Sequence, residues 1–132
     1  MILIDTSAWV EFLRATGSPE HLEVKRLLGT QEVGVVDLVA MELLAGAVSE
    51  EAAQQLARFL ARFTAVASSS PADHQLAASL YRRGRVGGRT VRSLIDCLIA
   101  AVALRLDAPL LARDRDYDVL AEICPLTRHL AP

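Results

Sequence analysis

Short apolar runs alternate along this chain with longer stretches whose apolar residues recur every three or four positions. Met1 to Ile4, Val33 to Val36, Thr64 to Ala67 and Pro109 to Leu111 have strand length, and the first reads as a strand buried on both faces. Cys124 to Leu126 predicts a final edge strand. The segments between them carry helix punctuation. Asp5-Thr6-Ser7 supplies N-cap chemistry for a helix bearing Trp9, Val10 and Leu13. Gly17-Ser18-Pro19 breaks that helix, and Ser18 with Pro19 opens a second one through Leu28. Asp37 is placed to cap a helix with Leu38, Met41 and Leu44-Ala45 on its apolar side, and Ser49 to start an amphipathic helix reaching about Phe63. Ser70-Pro71-Ala72-Asp73 and Ser93-Leu94-Ile95-Asp96 read as capping boxes, heading helices to about Arg83 and to Leu106. Gly84 to Thr90 predicts a loop, and Arg115 to Glu122 a short helix. Strands alternating with helices point to an α/β sandwich around a mainly parallel sheet of roughly five strands. The 132 residues, without repeats or a long linker, fit one domain, 1–132.

This pattern makes five acids conspicuous: Asp5, Glu42, Asp96, Asp114 and Asp116. Most are embedded in apolar runs, where a charge is costly without a partner. Each has an innocent role to hand. Asp5, Asp96 and either Asp114 or Asp116 could cap the helix they precede, and Glu42 lies near a helix start, where the macrodipole favours an acid. Together they suggest more. Asp5 and Asp114 fall just past the carboxyl ends of two strands, the place where open α/β sheets bind ligands. Two carboxylates about 4 Å apart repel by roughly 4 kcal/mol at an effective dielectric of about 20. A converging set therefore needs protonation or a cation, and oxygen ligands without His or Cys favour Mg²⁺ or Mn²⁺ over zinc. Metal-assisted phosphodiester hydrolysis is the chemistry that uses such a cage.

Composition adjusts the picture. The chain is 52% hydrophobic with a mean hydropathy of +0.31, high for a small domain, which hints at apolar surface reserved for a partner. Its longest uncharged apolar stretch, Cys97 to Leu104, has eight residues, against the roughly 20 needed to span a membrane. No secretory signal precedes Asp5, so a cytoplasmic protein is expected, with Cys97 and Cys124 as core thiols. His21, His74 and His129 show no ligand spacing and read as surface residues. Net charge is −2, yet eight of the 14 basic residues are arginines between Arg82 and Arg115. Arginine suits phosphate, so the stretch Arg82 to Arg92 is expected beside the acids, with Ser7, Arg85, Arg89 and Arg113 as substrate-binding candidates.

Four blocks carry a resemblance: Ile4-Asp5-Thr6-Ser7, Met41-Glu42-Leu43-Leu44-Ala45-Gly46, Asp96-Cys97-Leu98-Ile99-Ala100-Ala101-Val102-Ala103 and Leu111-Ala112-Arg113-Asp114-Arg115-Asp116-Tyr117. In this order and at these intervals they resemble a PIN domain, in particular the VapC toxins of bacterial toxin–antitoxin pairs. The resemblance implies a PIN-like three-layer sandwich, its sheet flanked by helices. It implies a Mg²⁺- or Mn²⁺-dependent endoribonuclease, with Asp5, Glu42, Asp96 and Asp114 as the acidic quartet and Asp116 as a further acid. It also implies a homodimer held by a cognate VapB-like antitoxin as a heterotetramer or larger, acting on RNA and away from membranes. Ala112 stands where threonine is common, and Tyr117 where phenylalanine is usual. The rival reading is a PIN-fold binding module with little catalysis, or a nuclease for DNA. A receiver-type phosphoacceptor would need a lysine near the site, and Lys25, the single lysine, does not follow a strand. A haloacid-type phosphatase would need an acid where Ser7 stands.

Overall fold

The computed structural model describes residues 1–68 and 70–132. Its described elements run β1 (Ile2–Ile4), α1 (Thr6–Leu13), α2 (Pro19–Leu28), β2 (Val33–Val36), α3 (Asp37–Ala45), α4 (Glu50–Leu60), β3 (Thr64–Val66), α5 (Pro71–Val86), α6 (Leu94–Leu106), β4 (Leu110–Leu111) and α7 (Asp116–Ile123). The strands form one parallel sheet in the order β3-β2-β1-β4. Every residue of β1, β2 and β4 is buried, as parallel strands covered on both faces require. Leu3 pairs with Gly34 on one side and Leu110 on the other, and Ile4 pairs with Leu111. That register sets the ends of β1 and β4 side by side. α6 fills the core with Cys97 and Ile99 to Ala103, while Trp9 packs edge-on against Phe12 and Phe59. Among the described residues no helix is long and apolar enough to cross a membrane.

Six local expectations are corrected. The edge pairing next to β4 comes after Cys124–Leu126: Leu110 bridges Arg128 in parallel, with Leu110 N–H donating to Thr127 and His129 N–H to Leu110. Pro125 has no N–H to offer a ladder, and the Cys124 amide is used on Leu120 to end α7. α5 continues through Gly84 to Val86, so the loop begins at Gly87. Ser49 does cap α4 through the Ala52 amide, but α4 ends at Leu60, before Phe63. Asp37 is the first residue of α3 and makes no cap of the expected kind. Its carboxylate accepts from the amide and hydroxyl of Ser68, tying α3 to the segment after β3. Ser70 forms no side-chain cap, and Asp73 is instead buried against Arg105 on α6, 2.9 Å away. His129 is not a free surface group either, since its Nε2 lies 2.7 Å from the buried Glu23.

Candidate metal centre

Asp5 leaves β1 in extended conformation and caps α1, accepting from the Ser7 amide at 2.9 Å and hydroxyl at 2.6 Å. The same Ser7 hydroxyl oxygen accepts from the amides of Arg113, at 2.9 Å, and Asp114, at 3.3 Å. Ser7 thus ties the loop after β4 to the loop after β1. Asp5 is 3% exposed, so its remaining oxygen needs a donor inside the protein. Tyr117 on α7 supplies it: the phenol donates to Asp5 Oδ1 at 2.7 Å and stands 3.2 Å from Asp96 Oδ1.

Asp96 occupies the first turn of α6, where Ser93 Oγ accepts its amide at 3.4 Å. Its carboxyl, together with those of Asp114 and Asp116, forms a trio with ligand oxygens within 4.8 Å of one another. Asp116 is held from the loop before α6: the amides of Arg92 and Ser93 donate to its two oxygens at 3.2 and 3.1 Å. Asp114 accepts the Asp116 amide at 2.9 Å. Glu42, on α3, is half-buried and receives the Thr6 hydroxyl at 2.8 Å. The fold therefore brings together Asp5, Asp96, Asp114 and Asp116 through direct contacts and Tyr117, while Glu42 reaches the group through the residue next to Asp5.

The electrostatics follow from this crowding. Burial, then the charge of Asp5 and the contact with Asp116, push the Asp96 carboxyl up to about 8. Burial raises Asp116 too, but the Arg92 amide, the Asp96 carboxyl, the Arg92 guanidinium and the Ser93 amide outweigh it and hold Asp116 below the usual carboxylate range. These directions favour the proton on Asp96 and the charge on Asp116. Three oxygen-donor side chains in mutual reach, one retaining a proton only under the strain of its neighbours, fit a hard divalent cation.

The arginines are distributed differently from a free basic loop. Arg92 donates through Nη2 to Asp114 at 2.8 Å and through Nε to Asp116 at 3.2 Å. Arg89 pairs with Glu122 at 2.8 Å, and Arg113 pairs with Glu11 and lies near Glu20. Arg85 is exposed on the last turn of α5. Gly88, Arg89, Thr90, Arg115 and Asp116 line a cavity of about 310 Å³ on the trio's flank. The sequence gives no role to Tyr117, marks Ser93 only as the cap of α6 and not as a donor to Asp116, and places Arg92 with the phosphate-holding arginines. Their use depends on contacts across 21 to 112 residues of chain, which no local pattern carries.

Comparison with known proteins places this geometry in context. The PIN domain family model matches residues 2–123. Ribonuclease VapC11 of Mycobacterium tuberculosis is 44% identical over 128 residues, covering 96% of both chains. Among solved structures, VapBC2 from Rickettsia felis, bound to a DNA fragment from their promoter, superposes with a TM-score of 0.76 at 19% identity, covering 98% of both chains. VapBC-1 from nontypeable Haemophilus influenzae gives 0.75 at 18% identity, covering 98% of this chain and 97% of its own.

Proposed function

The chain belongs to the PIN domain family, and from that premise we propose that it is a divalent-cation-dependent endoribonuclease, the toxin of a toxin–antitoxin pair. One observation carries the reading. Asp96, Asp114 and Asp116 converge at the carboxyl end of a parallel sheet, with Asp5 joined to them by one phenol. The named ribonuclease relative, aligned over nearly the whole length, supports the substrate class. Structural neighbours named as VapBC proteins support a cognate antitoxin as partner. A homodimer, and a heterotetramer or larger assembly with the antitoxin, belong to the same reading. Mg²⁺ and Mn²⁺ suit the all-oxygen donor set, and Asp5, Glu42, Asp96, Asp114 and Asp116 are the residues we assign to it.

A cation bound there would supply charge neutralisation at the scissile phosphodiester and an acidified water as nucleophile. The chain's own residues do the rest. Asp96, Asp114 and Asp116 present oxygens from the first turn of α6, the β4–α7 turn and the start of α7. Ser7 and Tyr117 fix Asp5 from both sides. Thr6 orients Glu42 toward the same end of the sheet. Ser7, Arg85, Arg89 and Arg113 are the proposed contacts to RNA; the half-exposed Arg89 and Arg113 would exchange their carboxylate partners for phosphate, and Ser7 would act through the backbone it holds.

The test is direct. Protein freed of antitoxin should cleave RNA with Mg²⁺ or Mn²⁺ and stop with EDTA. Asp5→Asn and Asp96→Asn should each lower the rate by at least about 100-fold while preserving the circular dichroism spectrum. Undiminished cleavage by both variants would remove the assignment.

A further inference from the structure

Arg92 stands on the loop before α6, whose residues contact Asp114 and Asp116 of the carboxylate trio. Its guanidinium spans Asp114 Oδ1 and Asp116 Oδ1, at 2.8 and 3.2 Å. Those two acids belong to the trio whose ligand oxygens lie within 4.8 Å of one another. A guanidinium on two of these acids and a divalent cation among all three repel each other and compete for the same carboxylates. The two anchors differ in mobility. The backbone amides of Arg92 and Ser93 hold Asp116 regardless of the side chain. The side chain itself is 55% exposed and free to swing outward, and arginine pairs with a phosphate as readily as with a carboxylate.

We propose that Arg92 is a built-in competitor at the carboxylate trio, which a divalent cation displaces and thereby hands to a substrate phosphate. The competition needs only the contacts above; the hand-over rests on the ribonuclease reading. Metal affinity is then set below what the carboxylates alone would give. Metal and RNA also become coupled ligands, each favouring the other, and the coupling must be equal in both directions.

Calorimetric titration of Mn²⁺ tests the first half. Arg92→Gln keeps both amide contacts to Asp116 but removes the cation, and should bind Mn²⁺ roughly three- to tenfold more tightly than wild type. Arg92→Lys keeps a charge that cannot span both carboxylates and should fall between. Repeating the titrations with a saturating 2′-O-methyl RNA oligomer, which resists cleavage, tests the second half. The oligomer should tighten Mn²⁺ binding to wild type, and this gain should shrink in Arg92→Gln. Unchanged or weaker Mn²⁺ binding by Arg92→Gln would overturn the competition. An oligomer effect equal in both proteins would overturn the hand-over alone. An oligomer that binds neither protein would count against the ribonuclease reading and leave the metal result standing.

Discussion

Tyr117 puts one hydroxyl proton where two carboxylates meet, 2.7 Å from Asp5 and 3.2 Å from Asp96. A phenol donates once, so the shorter contact to Asp5 takes the proton. The ring is fixed from behind by Arg128, whose guanidinium lies 5.9 Å from its centroid and also donates to the Ala112 carbonyl and to Asp118. Tyr117→Phe therefore removes a donor without opening a cavity. Asp5 keeps its two contacts from Ser7 but loses the one donor on Oδ1 found among the described residues, inside the protein. The expected cost in EDTA is about 1–3 kcal/mol by urea denaturation, with single-turnover cleavage slowed about tenfold. Wild-type stability together with a wild-type rate would show that the hydroxyl does not position Asp5. The family resemblance puts phenylalanine at this position, so sequence alone presents Tyr117 as a departure without a purpose. Its purpose lies 112 residues away, at Asp5.

At the scale of elements, the α5–α6 connection decides how Asp116 is held. Gly84 is buried within α5 because the following loop folds back onto it: the Arg89 amide donates to the Gly84 carbonyl at 2.8 Å. A Cβ at Gly84 would sit 2.7 Å from the Arg89 carbonyl oxygen, a backbone atom that cannot rotate away. Gly84→Ala should cost about 1–3 kcal/mol and loosen the loop that carries Arg92 and Ser93. In an Arg92→Gln background, where no guanidinium competes, Mn²⁺ affinity should fall with it, as read by calorimetry. Gly87→Ala, whose Cβ would meet the Arg83 carbonyl at 3.3 Å, is the milder control. Equal behaviour of the two variants would mean that the close approach is not what shapes the loop. This region also shows what sequence could and could not convey. Continuous apolar runs announced β1, β2 and β4 because parallel strands are buried on both faces. Glycines at 84, 87 and 88 read as one loop, although the first is there for close packing and only Gly88 has the left-handed φ, at +73°. The acid of the Ser70–Asp73 pattern looked local, yet its partner Arg105 is 32 residues on.

For the whole molecule, parallel topology has an electrostatic consequence. Adjacent β1 and β4 end together, so the acids that follow them, and the first turn of α6, share one small volume. The acids were legible as carboxylates in apolar sequence; that Asp96 is the one to keep its proton was not, because it depends on burial and on Asp5 and Asp116 together. Burial and the neighbouring charges push its carboxyl up to about 8, from an ordinary 3.8. The folded state therefore holds a proton that the unfolded state releases, and this group's contribution to stability falls as pH rises from about 4 to about 8. A divalent cation must expel that proton, so its affinity rises over the same window. Binding to the native state alone raises the melting temperature by mass action. Millimolar Mn²⁺ should thus raise the melting temperature more at about pH 8.5 than at about pH 6. Asp96→Asn cannot titrate, so it should flatten the pH dependence of the Mn²⁺ gain. In EDTA it should also lose less stability than wild type between those two pH values. Differential scanning fluorimetry across the four conditions reads all of this. A wild-type Mn²⁺ gain independent of pH, or one unchanged in Asp96→Asn, would mean that the proton and the metal do not compete for Asp96.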